Sequence, residues 1–441
     1  MKHSILLGFA ILLVTTISVD NVAAQPAPVV NKTWKFQFGG KSSPDDVTLI
    51  SSSSMYSAKQ GFGFEEGAKL AAEKEGNTKP NANYISSTQP FFFVADVPPG
   101  NYRVTVTLGG SGVESNTTVK AELRRLMLER IPTKPGESIT KTFIVNVRTP
   151  QIAGGGTVSL KNPRETVDEA WAWDKRLTLE FNGQNPCVSA LQIEPVEVPT
   201  VFILGDSTVC DQGKEPYASW GQMLPRFFKP DIAVSNQAES GESLRSSTRA
   251  HRLDKVLGDI KKGDYLLIQF GHNDMKATEA DAAKTYKADL KTWVQKTKEK
   301  GGTPILVTSM HRHRFEGDKV VNSLRDYPDM VRQVAAEEHV ALIDLHAMSS
   351  DLYEALGPKG SIQLFKHDSD NDPKFDATHH SPYGAYELAK CIVLGIQQAK
   401  VDLAKHVAED VSPLDPKHPD PAAEFKIPAS PGFTKQRPLG D

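Results

Sequence analysis

One serine stands in a sequence context that could make it a nucleophile. A Gly-Asp-Ser-Thr segment at residues 205–208 directly follows an apolar run at 201–204, and a glycine after a buried strand permits a tight turn that exposes the next side chains. If a helix begins there, its free N–H groups would face the group that the Ser207 hydroxyl attacks and would stabilise a developing oxyanion. The alternative is that Asp206 or Ser207 only caps that helix.

A base for this serine is present near the C-terminal end of the chain. A hydroxyl is a poor nucleophile unless a base accepts its proton and an acidic partner holds that base in one tautomer. Asp376 precedes His379 by three residues, just ahead of an amphipathic helical stretch, so one turn could bring the carboxylate and the imidazole together. His380 is a rival for the role of base, and a histidine at either position could instead be structural.

Two further positions could stabilise the tetrahedral oxygen of an acyl-transfer reaction. Gly241 offers a bare backbone N–H in an Ala-Glu-Ser-Gly-Glu-Ser segment, and Asn273 offers a side-chain amide in a Gly-His-Asn-Asp segment. Each such donor contributes roughly 3 kcal/mol to transition-state stabilisation. Taken singly, each position also fits an ordinary turn residue.

The segments that must position these residues alternate between strand-like and helix-like patterns. Apolar runs at 201–204, 232–234, 265–270, 304–308 and 341–343 are separated or followed by helical stretches at 280–300, 327–338 and 383–399. This order predicts an α/β fold, a three-layer doubly wound parallel sheet. Because the loops at the carboxyl ends of such strands converge on one crevice, we expect Ser207, Gly241, Asn273 and His379 to meet there.

The preceding part of the chain is strand-rich and predicts a β-sandwich. Strand-like runs occur at 34–38, 91–94, 102–108, 142–147, 157–160, 177–181 and 188–194. A Pro-Pro-Gly-Asn segment at 98–101 predicts a hairpin between two of them, and Asn182-Gly183 predicts another turn. Trp171 and Trp173 could stack on sugar rings, although alternation places at least one of them in the core.

The two ends of the chain have their own signatures. Residues 1–24 carry the short basic start, the apolar stretch and the small-residue site of a secretory signal peptide, which predicts a secreted or periplasmic protein without membrane insertion. We therefore predict a β-sandwich domain over 30–198, a catalytic domain over 199–405 and a proline-rich tail over 406–441. The prolines of that tail predict an extended or disordered segment.

Composition and further motifs exclude several classes of protein. Lys plus Arg number 51 against 54 Asp plus Glu, so no nucleic-acid partner is indicated. Cys187, Cys210 and Cys391 are too few for a disulfide scaffold, and their state is left open. No Gly-x-Ser-x-Gly elbow of the common lipases occurs.

No metal or other cofactor is predicted. The acidic run at 367–372 lacks the glycine of a calcium loop, and the alternating His-Arg-His-Arg run at 311–314 lacks a carboxylate at ligand spacing. That run follows a predicted strand, so we expect it at the crevice rim. Arg312 or Arg314 could then bind a uronate carboxylate, which suits the guanidinium fork.

The four segments resemble the SGNH hydrolases over residues 199–400, whose blocks are Gly-Asp-Ser, a glycine, Gly-x-Asn-Asp and Asp-x-x-His. The resemblance implies that Ser207 is the nucleophile, His379 the base and Asp376 its partner. It also implies that the Ser207 N–H, the Gly241 N–H and the Asn273 side chain bind the oxyanion.

Residues next to these blocks narrow the match: Thr208, Thr378, Ser381-Pro382 and Gly384-Ala385. With them, the segments resemble the rhamnogalacturonan acetylesterases of carbohydrate esterase family twelve. The front domain resembles galactose-binding-like jelly rolls. The resemblance implies an exported serine esterase that removes acetyl groups from plant polysaccharide or oligosaccharide, most readily pectic rhamnogalacturonan. The alternatives are a non-catalytic glycan-binding protein, or a lipase, thioesterase or methylesterase with the same triad. The front domain could bind sugar or could be purely structural.

Overall fold

The computed structural model describes residues 32–40, 43–65, 70, 84–110, 112–367, 374–411 and 414–431. The predicted signal peptide lies outside the described residues, as does most of the acidic run at 367–372. Within the described part of the chain, no helix combines the length and the apolar character needed to cross a membrane.

The front half consists of two facing sheets. Its strands are β1 (Trp34–Phe38), β2 (Thr48–Ile50), β3 (Phe62–Phe64), β4 (Ile85–Ser86), β5 (Phe91–Asp96), β6 (Gly100–Gly109), β7 (Ser115–Ala121), β8 (Arg125–Thr133), β9 (Ser138–Val147), β10 (Arg176–Gln184) and β11 (Cys187–Pro195). One sheet has the order β2-β1-β11-β6-β9, with β4 also on β11, and the other has the order β3-β5-β10-β7-β8. All pairs are antiparallel except β1 with β2. The predicted β-sandwich is therefore confirmed.

An aromatic core joins the two sheets. Alternation along β6 turns Val104, Val106 and Leu108 inward, where each is fully buried. The Phe93 ring of the second sheet packs 5.0 Å from that of Phe36 in the first. Large rings that interlock in this way remove much apolar surface from water, which holds the sandwich together.

Three local predictions in this domain are wrong. The segment at 98–101 does not close a hairpin, because β5 and β6 belong to opposite sheets; two prolines without N–H donors carry the chain across the sandwich. Asn182 and Gly183 lie inside β10, paired with β7, because the turn comes later, at Asn185. Residues 157–160 form no strand, since only Thr157 makes an isolated bridge.

The second half is a three-layer α/β unit, as predicted. Its parallel strands are β12 (Thr200–Gly205), β13 (Ala233–Asn236), β14 (Tyr265–Gln269), β15 (Thr303–Val307) and β18 (Ala341–Ile343); β16 (Phe315–Glu316) and β17 (Lys319–Val320) form a small separate ribbon. The sheet order is β13-β12-β14-β15-β18. The connections reverse direction at β12, and ligands bind beside such a switch point.

Helices cover both faces of this sheet. They are α1 (Trp220–Met223), α2 (Leu244–Arg249), α3 (Arg252–Asp259), α4 (Ala282–Glu299), α5 (Tyr327–Glu337), α6 (Leu345–Gly360) and α7 (Pro382–Gln398). Successive side chains of β12 serve the two faces: Ile203 packs in the core with α1 and α7, and Leu204 packs in the core with α3, α4 and α5. The predicted helices α4, α5 and α7 are confirmed, whereas α1, α2, α3 and α6 were not predicted.

The described tail, residues 414–431, runs along the surface in extended form apart from two short turns, one at 415–418 and one at Ala422–Glu424. It contacts both halves of the molecule. The Tyr383 hydroxyl donates to the Asp420 carbonyl at 2.6 Å, and Lys120 Nζ donates to Pro428 O and Ser430 Oγ, each at 2.7 Å. The extended alternative for the tail is confirmed over these residues.

Candidate active site

Three side chains far apart in sequence form one chain of hydrogen bonds. Ser207 Oγ lies 2.8 Å from His379 Nε2, although the two residues are 172 positions apart. On the other side of the ring, His379 Nδ1 lies 2.9 Å from Asp376 Oδ2. The Ser207 hydroxyl can donate to Nε2 only when Nδ1 carries the ring proton and donates it to the carboxylate. The geometry therefore suits proton transfer from serine to histidine.

Asp376 is held by its own turn. Its Oδ1 accepts the N–H groups of Thr378 at 2.9 Å and His379 at 3.0 Å, which leaves Oδ2 for the imidazole. Burial would raise the pKa of Asp376, but the hydrogen bonds and charge interaction with His379 hold it well below its usual value. The group is thus an anion at neutral pH and can stabilise an imidazolium.

The turn containing Asp376 is joined directly to α7. Ser381 caps this helix by accepting the Gly384 N–H at 3.2 Å, and Pro382 occupies its first position. Serine at the N-cap and proline at the next position are a favourable start for a helix. The local sequence therefore attaches His379 to the rigid start of a helix.

Ser207, the predicted nucleophile, lies in a turn, and the helix considered for this position is absent from the described residues between β12 and α1. The N–H groups of Val209 and Cys210 both donate to the Asp206 carbonyl at 3.0 Å, and no helix begins before α1. Asp206 Oδ1 accepts from Thr208 N at 2.9 Å and from Thr208 Oγ1 at 2.7 Å, so this carboxylate stabilises the turn. A Cβ at Gly205 would lie 2.8 Å from the Gln269 carbonyl, which explains the glycine.

The loops with the predicted oxyanion donors are hydrogen-bonded to one another. The Glu239 N–H donates to the Gly205 carbonyl at 3.1 Å, and Asn273 Nδ2 donates to the Glu242 carbonyl at 3.0 Å. Gly241 adopts a left-handed φ of 77° that glycine tolerates best. Among the described residues, neither the Ser207 N–H nor the Gly241 N–H has an acceptor, so both are available to a ligand.

The rival histidine is placed elsewhere. His380 Nε2 forms a hydrogen bond of 2.9 Å with the Tyr353 hydroxyl. Complete burial and the neighbouring His379 lower the pKa of His380 to about 3, so its ring is neutral at physiological pH. Its partner is thus a tyrosine in the core and not Ser207.

The two arginines differ in their distance from the site. Arg312 is half-buried, and its Nη2 donates to the carbonyl of His272, next to Asn273, at 3.2 Å. Its charge is also felt by Asp206. Arg314 is exposed. The structure thus brings Arg312 to the site and leaves Arg314 on the surface nearby.

The histidines of the same run are engaged separately. The His311 ring lies 3.6 Å from that of His346, while His313 packs against Phe365 and Phe375. The described ranges contain no group of three or more potential metal ligands. Neither Trp171 nor Trp173 is freely exposed: Trp173 is buried beneath Arg148, and Trp171 is half-buried against Phe92.

Sequence reasoning missed three features next to the site. The rings of Tyr217 and His379 pack in a T-shaped arrangement with their centres 5.9 Å apart, and no sequence motif signals this contact. Asp274, the last residue of the Gly-His-Asn-Asp segment, is buried; burial raises its pKa to about 7, and its Oδ1 accepts the Leu244 N–H at 2.9 Å. A cavity of about 330 Å³ opens beside Asn273 and is lined by further residues that include Arg245 and Lys276.

Fold and site together define an α/β hydrolase whose candidate nucleophile, Ser207, lies at the carboxyl edge of a parallel sheet. Comparison with known families agrees with this class. Residues 203–384 match the GDSL-like lipase/acylhydrolase family, and residues 34–152 match the galactose-binding-like domain of the beta-agarase/YXIM esterase type. The chain belongs to the GDSL-like lipase/acylhydrolase family, and the predictions of an SGNH hydrolase and a galactose-binding-like front domain are confirmed.

The chain is similar to several Bacillus subtilis proteins. It is 39% identical over 216 residues to the rhamnogalacturonan acetylesterase RhgT, covering 47% of this chain and 93% of that protein. It is 28% identical over 400 residues to the uncharacterized esterase YxiM, covering 87% and 93%. The crystal structure of YxiM matches with a TM-score of 0.45 at 26% identity, over 84% of this chain and 99% of that one. The family match and the similarity to RhgT confirm the predicted enzyme class, a carboxylic ester hydrolase.

Proposed function

We propose that this protein is a carbohydrate O-acetylesterase that removes acetyl groups from pectic rhamnogalacturonan through an acyl-enzyme on Ser207. The observation that carries the proposal is the hydrogen-bonded series Ser207, His379 and Asp376, with distances of 2.8 Å and 2.9 Å. Homology supports the carbohydrate acetylesterase class. One relative is named a rhamnogalacturonan acetylesterase and another a probable one. Both are at least 31% identical to this chain, which covers at least 93% of each.

The site geometry supports the following first half of the proposed reaction. Ser207 Oγ attacks the acetyl carbonyl carbon while its proton passes to His379 Nε2. The resulting tetrahedral oxyanion accepts hydrogen bonds from the Ser207 N–H, the Gly241 N–H and Asn273 Nδ2. Collapse of this intermediate breaks the bond to the sugar oxygen, which takes the proton from His379 and leaves as a hydroxyl.

The second half repeats these steps with water. His379 accepts a proton from a water molecule as its oxygen attacks the acetyl-serine carbonyl carbon. The same three donors hold the second tetrahedral oxygen. When the bond to Ser207 Oγ breaks, the proton returns from His379 to the serine, and acetate leaves. The proposed reaction steps require no metal or cofactor.

Positive charge near the nucleophile supports an acidic substrate. This charge is that of Arg312, which reaches the loop of Asn273, whereas the neighbouring cavity is lined by basic and acidic side chains alike. A guanidinium group binds a carboxylate with two parallel hydrogen bonds. We therefore infer that Arg312, with Arg314 on the adjoining surface, contacts a uronate of the polysaccharide backbone.

We further propose that the protein is exported, because residues 1–24 carry the pattern of a signal peptide. Cell fractionation with N-terminal sequencing of the mature protein tests this point. A mature chain that begins near Gln25 outside the cytoplasm is the expected result, and a full-length cytoplasmic chain would refute it.

The central experiment measures acetate release from acetylated rhamnogalacturonan, xylan and mannan by wild type, Ser207→Ala, Arg312→Ala and Arg314→Ala. We expect Ser207→Ala to lose activity on all three glycans. We expect Arg312→Ala to lose activity mainly on the uronate-bearing polymer. Equal losses by both arginine variants on charged and neutral glycans would refute a role in uronate binding. Glycan binding without Ser207-dependent release would indicate a binding protein, and preference for long acyl esters would indicate a lipase.

A further inference from the structure

A lysine of the front domain contacts the loop that carries Gly241. Lys161 lies in the long connection between β9 and β10, and its Nζ donates a hydrogen bond to the carbonyl oxygen of Ser240. The same Nζ lies 2.8 Å from Glu242 Oε1. The connection is also attached to the catalytic half directly, because the Ser159 N–H donates to the Ala250 carbonyl at 3.0 Å. Lys161 thus bridges the two halves at the predicted oxyanion loop.

The carbonyl that Lys161 contacts and the N–H of Gly241 belong to one peptide unit. A trans peptide is planar, so its C=O and N–H point in opposite directions. Among the described residues, only Asn162-Pro163 and Glu215-Pro216 are cis. Anchoring the Ser240 oxygen therefore also sets the direction in which the Gly241 N–H points.

This peptide needs an external anchor. Gly241 has a φ of 77°, and glycine crosses between φ regions more easily than any other residue, so the plane between Ser240 and Gly241 can rotate at little cost. Ser240 is 1% exposed, and a buried carbonyl without a donor is costly. A cation on the oxygen also polarises the peptide and strengthens its N–H as a donor.

The rest of the interface holds Lys161 in place. Glu242 is 3% exposed, and its second carboxylate oxygen accepts from Ser246 Oγ. Arg252 Nη2 of the catalytic half pairs with Glu165 Oε2 of the front domain at 2.6 Å, and both side chains are buried. Its Nε lies 4.0 Å from Glu242 Oε1. Glu242 therefore lies between cations contributed by the two halves.

We propose that Lys161 is a positioning residue of the oxyanion hole, so that the front domain completes the catalytic apparatus of the other half. The inference rests on the proposed function, because it requires the Gly241 N–H to bind the tetrahedral oxygen. Lys161 touches no substrate in this scheme. It acts through the orientation of one peptide, whose effect is greatest in the transition state.

The test compares Lys161→Met, which keeps the length and loses the donor, with Lys161→Arg, which keeps a cationic donor. Arg176→Met is the matched control. Arg176 is also an ion-pairing cation of the front domain, and its side chain is 29% exposed against 28% for Lys161, but it pairs with Asp174 and not with the Gly241 loop. Each variant is assayed for kcat and KM on a chromogenic acetate ester. The burst amplitude with an organophosphonate counts the folded active centres, so that kcat refers only to these.

Removing one oxyanion donor lowers kcat by about 10²–10³, and misaligning one lowers it less. We expect kcat of Lys161→Met to fall at least about tenfold with KM changed less than about twofold, while Lys161→Arg and Arg176→Met stay near wild type. A Lys161→Met kcat per active centre equal to that of Arg176→Met would overturn the proposal. Wild type without Ser207-dependent turnover would overturn the proposed function as well, so the two failures are distinguishable.

Discussion

The carboxylate of Asp376 offers a sharp test of the hydrogen-bonded series at the active site. In the wild type, the Thr378 and His379 N–H groups lie 2.9 Å and 3.0 Å from Asp376 Oδ1. In Asp376→Asn the amide oxygen can still accept both of these hydrogen bonds. The amide nitrogen replaces Oδ2 and can only donate to His379 Nδ1. The ring proton then moves to Nε2, where it faces Ser207 Oγ and blocks proton acceptance.

The expected loss is large because the histidine is held in the wrong tautomer. The same change in a serine protease triad lowers kcat about 10⁴-fold, which is about 5 kcal/mol at 1.36 kcal/mol per tenfold change. The turn should persist, because both backbone hydrogen bonds to the side chain are kept. We therefore expect kcat to fall by three to four orders of magnitude, by roughly the protease precedent, while the melting temperature changes little.

A second Asp-x-x-His pair in the same chain provides the control. Asp415 Oδ2 lies 2.7 Å from His418 Nδ1 at the same spacing, but both side chains are exposed in the tail. Both asparagine variants are assayed on a chromogenic acetate ester at pH 7, with thermal unfolding in parallel. Asp415→Asn should leave kcat unchanged. A folded Asp376→Asn variant within about tenfold of wild type would refute the assigned role of the carboxylate.

Two further predictions concern stability. The pKa of His380 is about 3 in the folded protein and about 6.5 when unfolded, so the unfolded state binds more protons between these values; stability is full above about pH 6.5 and falls toward pH 3. Urea titrations should show that His380→Gln reduces the loss between pH 7 and pH 5 by up to about 2 kcal/mol, and an unchanged loss would contradict the burial argument. A Cβ at Gly384 would lie 1.9 Å from the Leu364 carbonyl, whereas at Gly360 its nearest neighbour would be 3.6 Å away. Gly384→Ala should therefore lower the free energy of unfolding by at least about 1–3 kcal/mol and Gly360→Ala should not, and equal urea midpoints for the two variants would show that α7 shifts freely.

Elements whose pattern is local were predictable from the sequence. The apolar runs of β12, β14 and β18 and the amphipathic stretches of α4, α5 and α7 each contain their own periodicity, so the class of fold followed. The path of the chain from β5 to β6 was not predictable in the same way. A proline-rich turn suits either a hairpin or a crossing between sheets, and only the pairing of β5 with β10 and of β6 with β9 decides between them.

The chemistry could be predicted from the amino-acid sequence, which has a serine after a strand, an acid three residues ahead of a histidine, and a glycine and an asparagine after neighbouring strands. Each of these motifs consists of a few neighbouring residues, so it can be recognised without knowledge of the tertiary structure. The contact with Ser207 depends on the tertiary structure, which brings the pair at 376–379, and not the equally spaced pair at 415–418, to this serine. The tertiary structure alone also places Lys161 on the Ser240 carbonyl, 79 residues away. Such contacts form when packed layers bring remote loops together, so local periodicity in the sequence does not predict them.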